Sequence, residues 1–129
     1  MKLLLDTHVW LWLQVDPDRI APATFEQLGD AQHEIFLSAA SAWEIAIKYA
    51  VGKLPLPVRP SIYVPQRMAS GGTTALPVLP VHALAVAELP NHHRDPFDRL
   101  LVAQALHESM TIVSRDRKLE PYGVPILWA

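Results

Sequence analysis

Short apolar runs alternate with longer helical patterns along the chain. Met1 to Leu5, with Leu3-Leu4-Leu5 as its apolar run, has the length of a strand covered on both faces. Thr7 to Gln14 carries Val9, Trp10, Leu11, Trp12 and Leu13 and predicts a short buried helix, ended by Asp16-Pro17-Asp18. A second helix is expected from Pro22 to Leu28, stopped by Gly29-Asp30. Glu34 to Ser38 predicts a second strand. Ala39 to Val51 follows with a strong helical pattern, in which Trp43, Ala46, Ile47 and Ala50 form one apolar stripe and Gly52 marks the C-terminus. The prolines between Lys53 and Pro60 require an extended loop.

Further on, Ser61 to Ala69 predicts a helix closed by Gly71-Gly72. Ala75 to Val81 is a third strand candidate, which Pro77 and Pro80 make irregular or peripheral. His82 to Leu89 predicts a short helix. Asp95-Pro96 opens the clearest helix of the chain, because Asp is a favoured N-cap and Pro a favoured first helical residue. That helix runs to Glu108, with Leu and Ala on most faces. Thr111 to Ser114 and Val124 to Trp128 supply the last strands. Strands alternating with helices imply a single α/β domain over residues 1–129, a three-layer αβα sandwich with a mainly parallel central sheet. There is no internal repeat, linker or low-complexity stretch.

Composition narrows the function classes. The 129 residues are 50% hydrophobic and 19% charged, which excludes an intrinsically disordered chain. Eleven Lys and Arg oppose 13 Asp and Glu for a net charge of −2, so a broadly basic nucleic-acid-binding surface is excluded too. Cysteine is absent, which removes disulfides, thiol nucleophiles and zinc-thiolate sites. Asp6 interrupts the first apolar run before it reaches the length of a secretory signal, and no segment is long enough to span a membrane. A cytoplasmic protein is expected.

The acids fall at chemically informative places. Ligands of open parallel sheets bind beyond the carboxyl ends of the strands. Asp6 directly follows the first strand, and Asp116 closely follows Ser114. Asp95 and Asp98 open a buried helix, and Glu44 lies in the first half of another. These five carboxylates from four segments can converge on one rim, where their repulsion would call for protons or a cation. Oxygen donors without cysteine suit a hard ion, Mg²⁺ or Mn²⁺. Each acid has a local role as well. Asp6 and Asp95 can cap helices. Glu44 completes a Ser41-x-x-Glu44 capping box and stands four residues before Lys48. Asp98 suits the helix macrodipole, and Asp116 can pair with Arg115 and Arg117. His8, His92, His93 and His107 show no metal-ligand spacing, and His92-His93 reads as a loop pair. The tryptophans read as core or interface residues, with Trp10 and Trp12 available to a partner surface. Arg94, Arg99, Arg115, Arg117 and Lys118 cluster late in the chain and form either a candidate basic collar for a phosphate backbone or a solvated charged face.

Four blocks together resemble the signatures of PIN-domain proteins, above all the VapC-type toxins of bacterial toxin–antitoxin pairs. They are Leu3-Leu4-Leu5-Asp6-Thr7-His8, Ser41-Ala42-Trp43-Glu44-Ile45-Ala46-Ile47-Lys48, Asp95-Pro96-Phe97-Asp98-Arg99-Leu100-Leu101-Val102-Ala103-Gln104-Ala105 and Val113-Ser114-Arg115-Asp116. The resemblance implies an αβα fold and a metal-dependent endoribonuclease using Mg²⁺ or Mn²⁺. It implies an acidic quartet of Asp6, Glu44, Asp98 and Asp116, with Asp6 and Asp98 as principal ligands. Glu44 and Asp116 would complete the cage, bind a second ion or orient the attacking water. Asp95 is an additional acid of the subgroup, Thr7 matches a hydroxyl that orients water or a carboxylate, and Arg99 matches a position beside the third acid. The family further implies 5′-phosphate and 3′-hydroxyl products, a homodimer, and a cognate VapB-like antitoxin. Two other readings compete. A Mg²⁺-dependent phosphatase would place Asp-x-Asp after the first strand, where this chain has Asp6-Thr7-His8. A non-catalytic protein-interaction module would use the same carboxylates only as caps and ion pairs.

Overall fold

Leu3, Leu4 and Leu5 are completely buried, and alternation along this one strand divides the core in two. The computed structural model describes residues 1–129. Strand β1 (Lys2–Leu5) lies at the centre of a five-stranded sheet, flanked by β2 (Glu34–Ser38) and β4 (Thr111–Ser114). Beyond these, β3 (Thr74–Leu76) and β5 (Ile126–Trp128) form the two edges, giving the order β3-β2-β1-β4-β5. Every pairing is parallel, which explains why the central strands are apolar on both faces rather than alternating.

Helices cover both faces. Leu4, Phe36 and Ile112 point to the side packed by Leu101, Val102 and Ala105 of α6 (Pro96–Glu108). Leu3, Leu5, Leu37 and Val113 point to the other side. There they meet Val9 and Trp10 of α1 (Thr7–Val15), Ile45 of α3 (Ala39–Ala50), and Tyr63 and Val64 of α4 (Pro60–Gly71). Helix α2 (Pro22–Leu28) and α5 (Pro80–Ala85) complete the layers, with short 3-10 turns at Pro17–Arg19, Val86–Glu88 and Arg117–Tyr122. The expected three-layer αβα sandwich is therefore the observed fold. No helix is long and apolar enough to cross a membrane.

Several expectations need correction. The third strand is only Thr74–Leu76, because Pro77 ends it, and Val81 lies in a helix. Pro80 is the first residue of α5, so proline starts an element here rather than bending a strand. Ser41 lies inside α3, and Ser38 is its cap: the Ser38 hydroxyl accepts the Ala40 N–H at 3.0 Å. The apolar stripe of α3 faces outward. Trp43 is 61% exposed and Ile47 39%, whereas Ala40, Ser41, Glu44 and Ile45 point inward. Trp10 is fully buried against Tyr63, so it is core and not partner surface.

Candidate active site

The parallel sheet brings the ends of β1 and β4 to the same edge, in line with the N-termini of α1, α3 and α6. Asp6 is the first residue after β1 and the N-cap of α1, accepting the His8 N–H at 3.4 Å. Asp95 caps α6 through the N–H groups of Phe97 and Asp98, at 2.9 and 3.2 Å. Asp116 caps the turn after β4 by accepting the Lys118 N–H at 3.0 Å. The capping roles are real, and they coexist with a shared site. A carboxylate at a helix N-terminus is stabilised by unpaired N–H groups and the helix dipole, which offsets part of the cost of gathering acids.

Hydroxyls tie these segments together. Ser114 Oγ donates to Asp6 Oδ2 at 2.7 Å and accepts the Asp116 N–H at 3.0 Å, linking two acids through one buried side chain. Thr7 Oγ1 donates to Ser41 Oγ at 2.8 Å and so fastens α1 to α3 one turn before Glu44. Thr7 is thus a strut between helices, and its hydroxyl donates to Ser41 rather than to a carboxylate. Glu44 is only 5% exposed and pairs with Lys48 Nζ at 2.7 Å. His93 Nε2 lies 2.7 Å from Asp98 Oδ2 and 3.8 Å from Asp116 Oδ2.

The electrostatics follow from this crowding. Burial pushes the Asp6 carboxyl above its ordinary pKa, the Ser114 hydrogen bond works against that rise, and the charge of Glu44 adds to it. Asp98 is pushed up to about 7, first by burial and then by the charge of Asp6, with the His93 hydrogen bond opposing. The charge of Glu44 thus reaches Asp6, and the charges of Asp6 and Asp95 reach Asp98. Such a set holds carboxylates that are short of positive charge.

The basic collar is less uniform than its sequence. Arg99 is turned away from the acids: it donates to the carbonyls of Pro90, Val86, Leu89 and His93 and to the Tyr122 hydroxyl. It clamps the segment that leads into α6. Arg115 donates to the carbonyls of Arg19 and Ala129 and lies 4.6 Å over the Trp12 ring. Arg117 lies 3.9 Å over Trp128. Arg94 and Lys118 are exposed. Beside Asp6 and Asp116 opens a cleft of about 330 Å³ lined by His8, Val9, Trp12 and Arg115.

Sequence reasoning missed three residues. His93 was hidden by its loop position, although it stands five residues before Asp98. Ser114 lacks any nucleophile context, yet it organises two acids. His8 brings Nδ1 to 4.0 Å from Asp6 Oδ1. The only sequence signal for these was adjacency to an acid-bearing strand or helix end.

The family profile described as PIN domain matches residues 3–124. The chain belongs to the PIN-domain family. Ribonuclease VapC22 of Mycobacterium tuberculosis is 30% identical to this PIN domain over 123 residues, which cover 95% of this chain and 93% of that protein. Ribonuclease VapC16 of the same organism is 55% identical over 53 residues, 41% of this chain and 38% of that protein. Among solved structures, VapBC2 from Rickettsia felis, bound to a DNA fragment from its promoter, matches with a TM-score of 0.75. The identity is 15%, over 99% of this chain and 98% of that one. DNA-bound VapBC from Salmonella typhimurium matches at 0.72 and 17% identity, over 99% and 98% of the two chains. At these identities the structural likeness is one of fold.

Proposed function

We propose that this PIN domain is the toxin of a VapBC-type pair, a Mg²⁺- or Mn²⁺-dependent endoribonuclease acting in the cytoplasm. The observation that carries the reading is the convergence of Asp6, Asp98 and Asp116 at the carboxyl end of the sheet, joined through Ser114 and His93, where burial and the charge of Asp6 push the Asp98 carboxyl up to about 7. Carboxylates gathered in a partly buried site repel one another, and a divalent cation would offset that cost. The donor set is rich in carboxylate oxygens, which fits a hard ion. The names of VapC22 and VapC16 supply the activity class.

Asp6, Asp98 and Asp116 would hold the ion, and Glu44, anchored by Lys48, would complete the cage or accept a proton from the attacking water. A divalent ion held by these residues would supply a more acidic water and positive charge near the phosphoryl oxygens. Ser114 orients Asp6 and the Asp116 backbone. Asp95 is held as a helix cap and shapes the site through its charge. The RNA backbone would enter by the cleft of His8, Trp12 and Arg115, with Arg94, Arg117 and Lys118 attracting flanking phosphates. No serine, cysteine or histidine nucleophile is needed. Cleavage by water in line with the leaving 3′-oxygen would leave 5′-phosphate and 3′-hydroxyl ends.

A protein partner is supported by the outward stripe of Trp43, Ile47 and Val51 on and just beyond α3, exposed by 61, 39 and 62%. An apolar face of this kind suits an antitoxin of the VapB type or the second copy of a homodimer.

The test is direct. The purified protein is incubated with structured and single-stranded RNA in Mn²⁺, Mg²⁺ or chelator. Cleavage in either metal, none in chelator, and no hydrolysis of a small phosphate ester are expected. Ester hydrolysis without RNA cleavage would support the phosphatase reading. A silent calorimetric titration with Mn²⁺, with RNA left intact, would support a non-catalytic interaction module.

A further inference from the structure

Two clusters in the fold join a histidine to a carboxylate and a third possible donor: His82, His107 and Glu108, and His93, Asp98 and Asp116. Within each, the candidate atoms lie within 4.8 Å of one another. Hydrogen bonding separates them chemically. His82 Nδ1 accepts the Leu79 N–H at 3.0 Å, so the neutral ring carries its proton on Nε2, which donates to Glu108 Oε1 at 2.8 Å. In that tautomer no lone pair points at the cluster. His82 is a buried pin between α5 and the end of α6.

His93 differs at its other ring nitrogen, which accepts no such N–H and can take up the ring proton. Its Nε2 faces both Asp98 and Asp116, while the protein's hydrogen bonds leave Nδ1 free to carry the ring proton. In the metal-free protein Nε2–H donates to Asp98 at 2.7 Å, and a cation that shifts this proton to Nδ1 would meet the Nε2 lone pair between two carboxylates, at only 12% side-chain exposure. Nor is the ring loosely held. Arg99 gathers the carbonyls of Val86, Leu89, Pro90 and His93, and it also binds the hydroxyl of Tyr122, against whose ring His92 packs edge-on at 5.2 Å. The loop is built to present His93.

We propose that His93 Nε2 is a direct ligand of the divalent cation held by Asp98 and Asp116, and that this nitrogen tilts the site from Mg²⁺ toward a first-row transition ion such as Mn²⁺. The inference rests on the metal-dependent reading above. Mg²⁺ strongly prefers oxygen, whereas imidazole is an ordinary ligand of first-row transition ions. A nitrogen donor beside two carboxylates therefore changes the preference of the site rather than its charge.

The test is pulsed electron paramagnetic resonance of the full-length protein loaded with Mn²⁺, beside calorimetric titration with each metal. A ¹⁴N coupling to Mn²⁺ is expected in the wild type, unchanged in His8→Ala and lost in His93→Ala. Mn²⁺ affinity should fall roughly 10-fold or more in His93→Ala, and Mg²⁺ affinity by much less. His93→Gln supplies a second variant, and ¹⁵N-labelled histidine in the wild type reads the same bond with no substitution. Mn²⁺ binding without nitrogen coupling would overturn the proposal and leave the metal reading standing, with His93 merely positioning Asp98. A coupling that survives in His93→Gln and disappears in His8→Ala would overturn it too. Failure of the wild type to bind Mn²⁺ would remove both the proposal and the metal reading.

Discussion

Ser114 donates its hydroxyl proton to Asp6 at 2.7 Å from the end of the neighbouring strand, and both side chains are buried. Register makes this possible: β1 and β4 pair Leu5 with Val113, so the residues that follow them emerge side by side. Ser114→Ala removes the contact that most opposes the rise of the Asp6 pKa. Mg²⁺ and Mn²⁺ affinity should fall by roughly 10- to 100-fold, the usual effect of deleting an orienting partner of a ligand. Calorimetric titration measures it, and circular dichroism should show an unchanged fold.

The raised pKa of Asp98 gives the metal-free protein a distinctive pH dependence. The unfolded carboxyl titrates near pH 4, and the folded one at about 7. Between these values the folded state holds more protons, so stability is greatest below the window and falls as pH rises through it. The slope is roughly 1.4 kcal/mol per pH unit where the folded carboxyl is protonated and the unfolded one is not. Melting temperature in chelator should therefore drop from pH 5 to pH 7.5. Saturating Mn²⁺ should restore most of the loss at pH 7.5 and little at pH 5, where protons compete.

Arg99 is expected to act on the site at a distance. Its guanidinium satisfies carbonyls at Val86, Leu89 and Pro90 together with the Tyr122 hydroxyl. Arg99→Ala leaves these unpaired and should cost about 2–4 kcal/mol, since hydrogen bonds to charged groups contribute about 1.5–3 kcal/mol each and do not add fully. Arg99→Lys keeps the charge but not the fork, so it should recover less than half. Urea unfolding measures both. Metal affinity should weaken alongside, because the clamped loop carries His93.

His82 provides the contrasting case. It is completely buried and bonded at both ring nitrogens, yet Glu108 lies about 15 Å along α6 from Asp98 at 1.5 Å per residue. His82→Leu should lower stability by about 2–3 kcal/mol through the orphaned Leu79 N–H. Metal affinity should stay within error of the wild type. A large loss of metal binding would show that the two ends of α6 are coupled.

How far these features were legible varies from one element to the next. Leu3-Leu4-Leu5 announced a central parallel strand, because burial on both faces leaves no room for polar alternation. Asp95-Pro96 announced α6, because capping chemistry is local. Helix α3 is inside out relative to its apolar pattern. Trp43, Ala46, Ile47 and Ala50 form a stripe that ordinary amphipathicity assigns to the core, yet the inward face carries Ser41 and Glu44. A helix that must aim an acid into a site gives up polar-out patterning, and its apolar residues are left on the outer face. The strand predicted to reach Val81 failed for a different reason. Proline breaks a strand and starts a helix equally well, and only the tertiary context decides. His93 was invisible because loops carry no period, and its value lies in reaching Asp98 and Asp116 across space.

The most direct measurement compares wild type and Asp98→Asn on the same RNA in Mn²⁺, with the ends of the products mapped. Asparagine keeps the shape and removes the charge. Wild type should cut at defined positions and leave 5′-phosphate ends. Asp98→Asn, melting as a folded protein, should cut at least roughly 100-fold more slowly, the scale of a lost positioned acid or base. A folded Asp98→Asn protein that cleaved RNA at the wild-type rate would contradict the assignment of the acidic cluster as the catalytic centre.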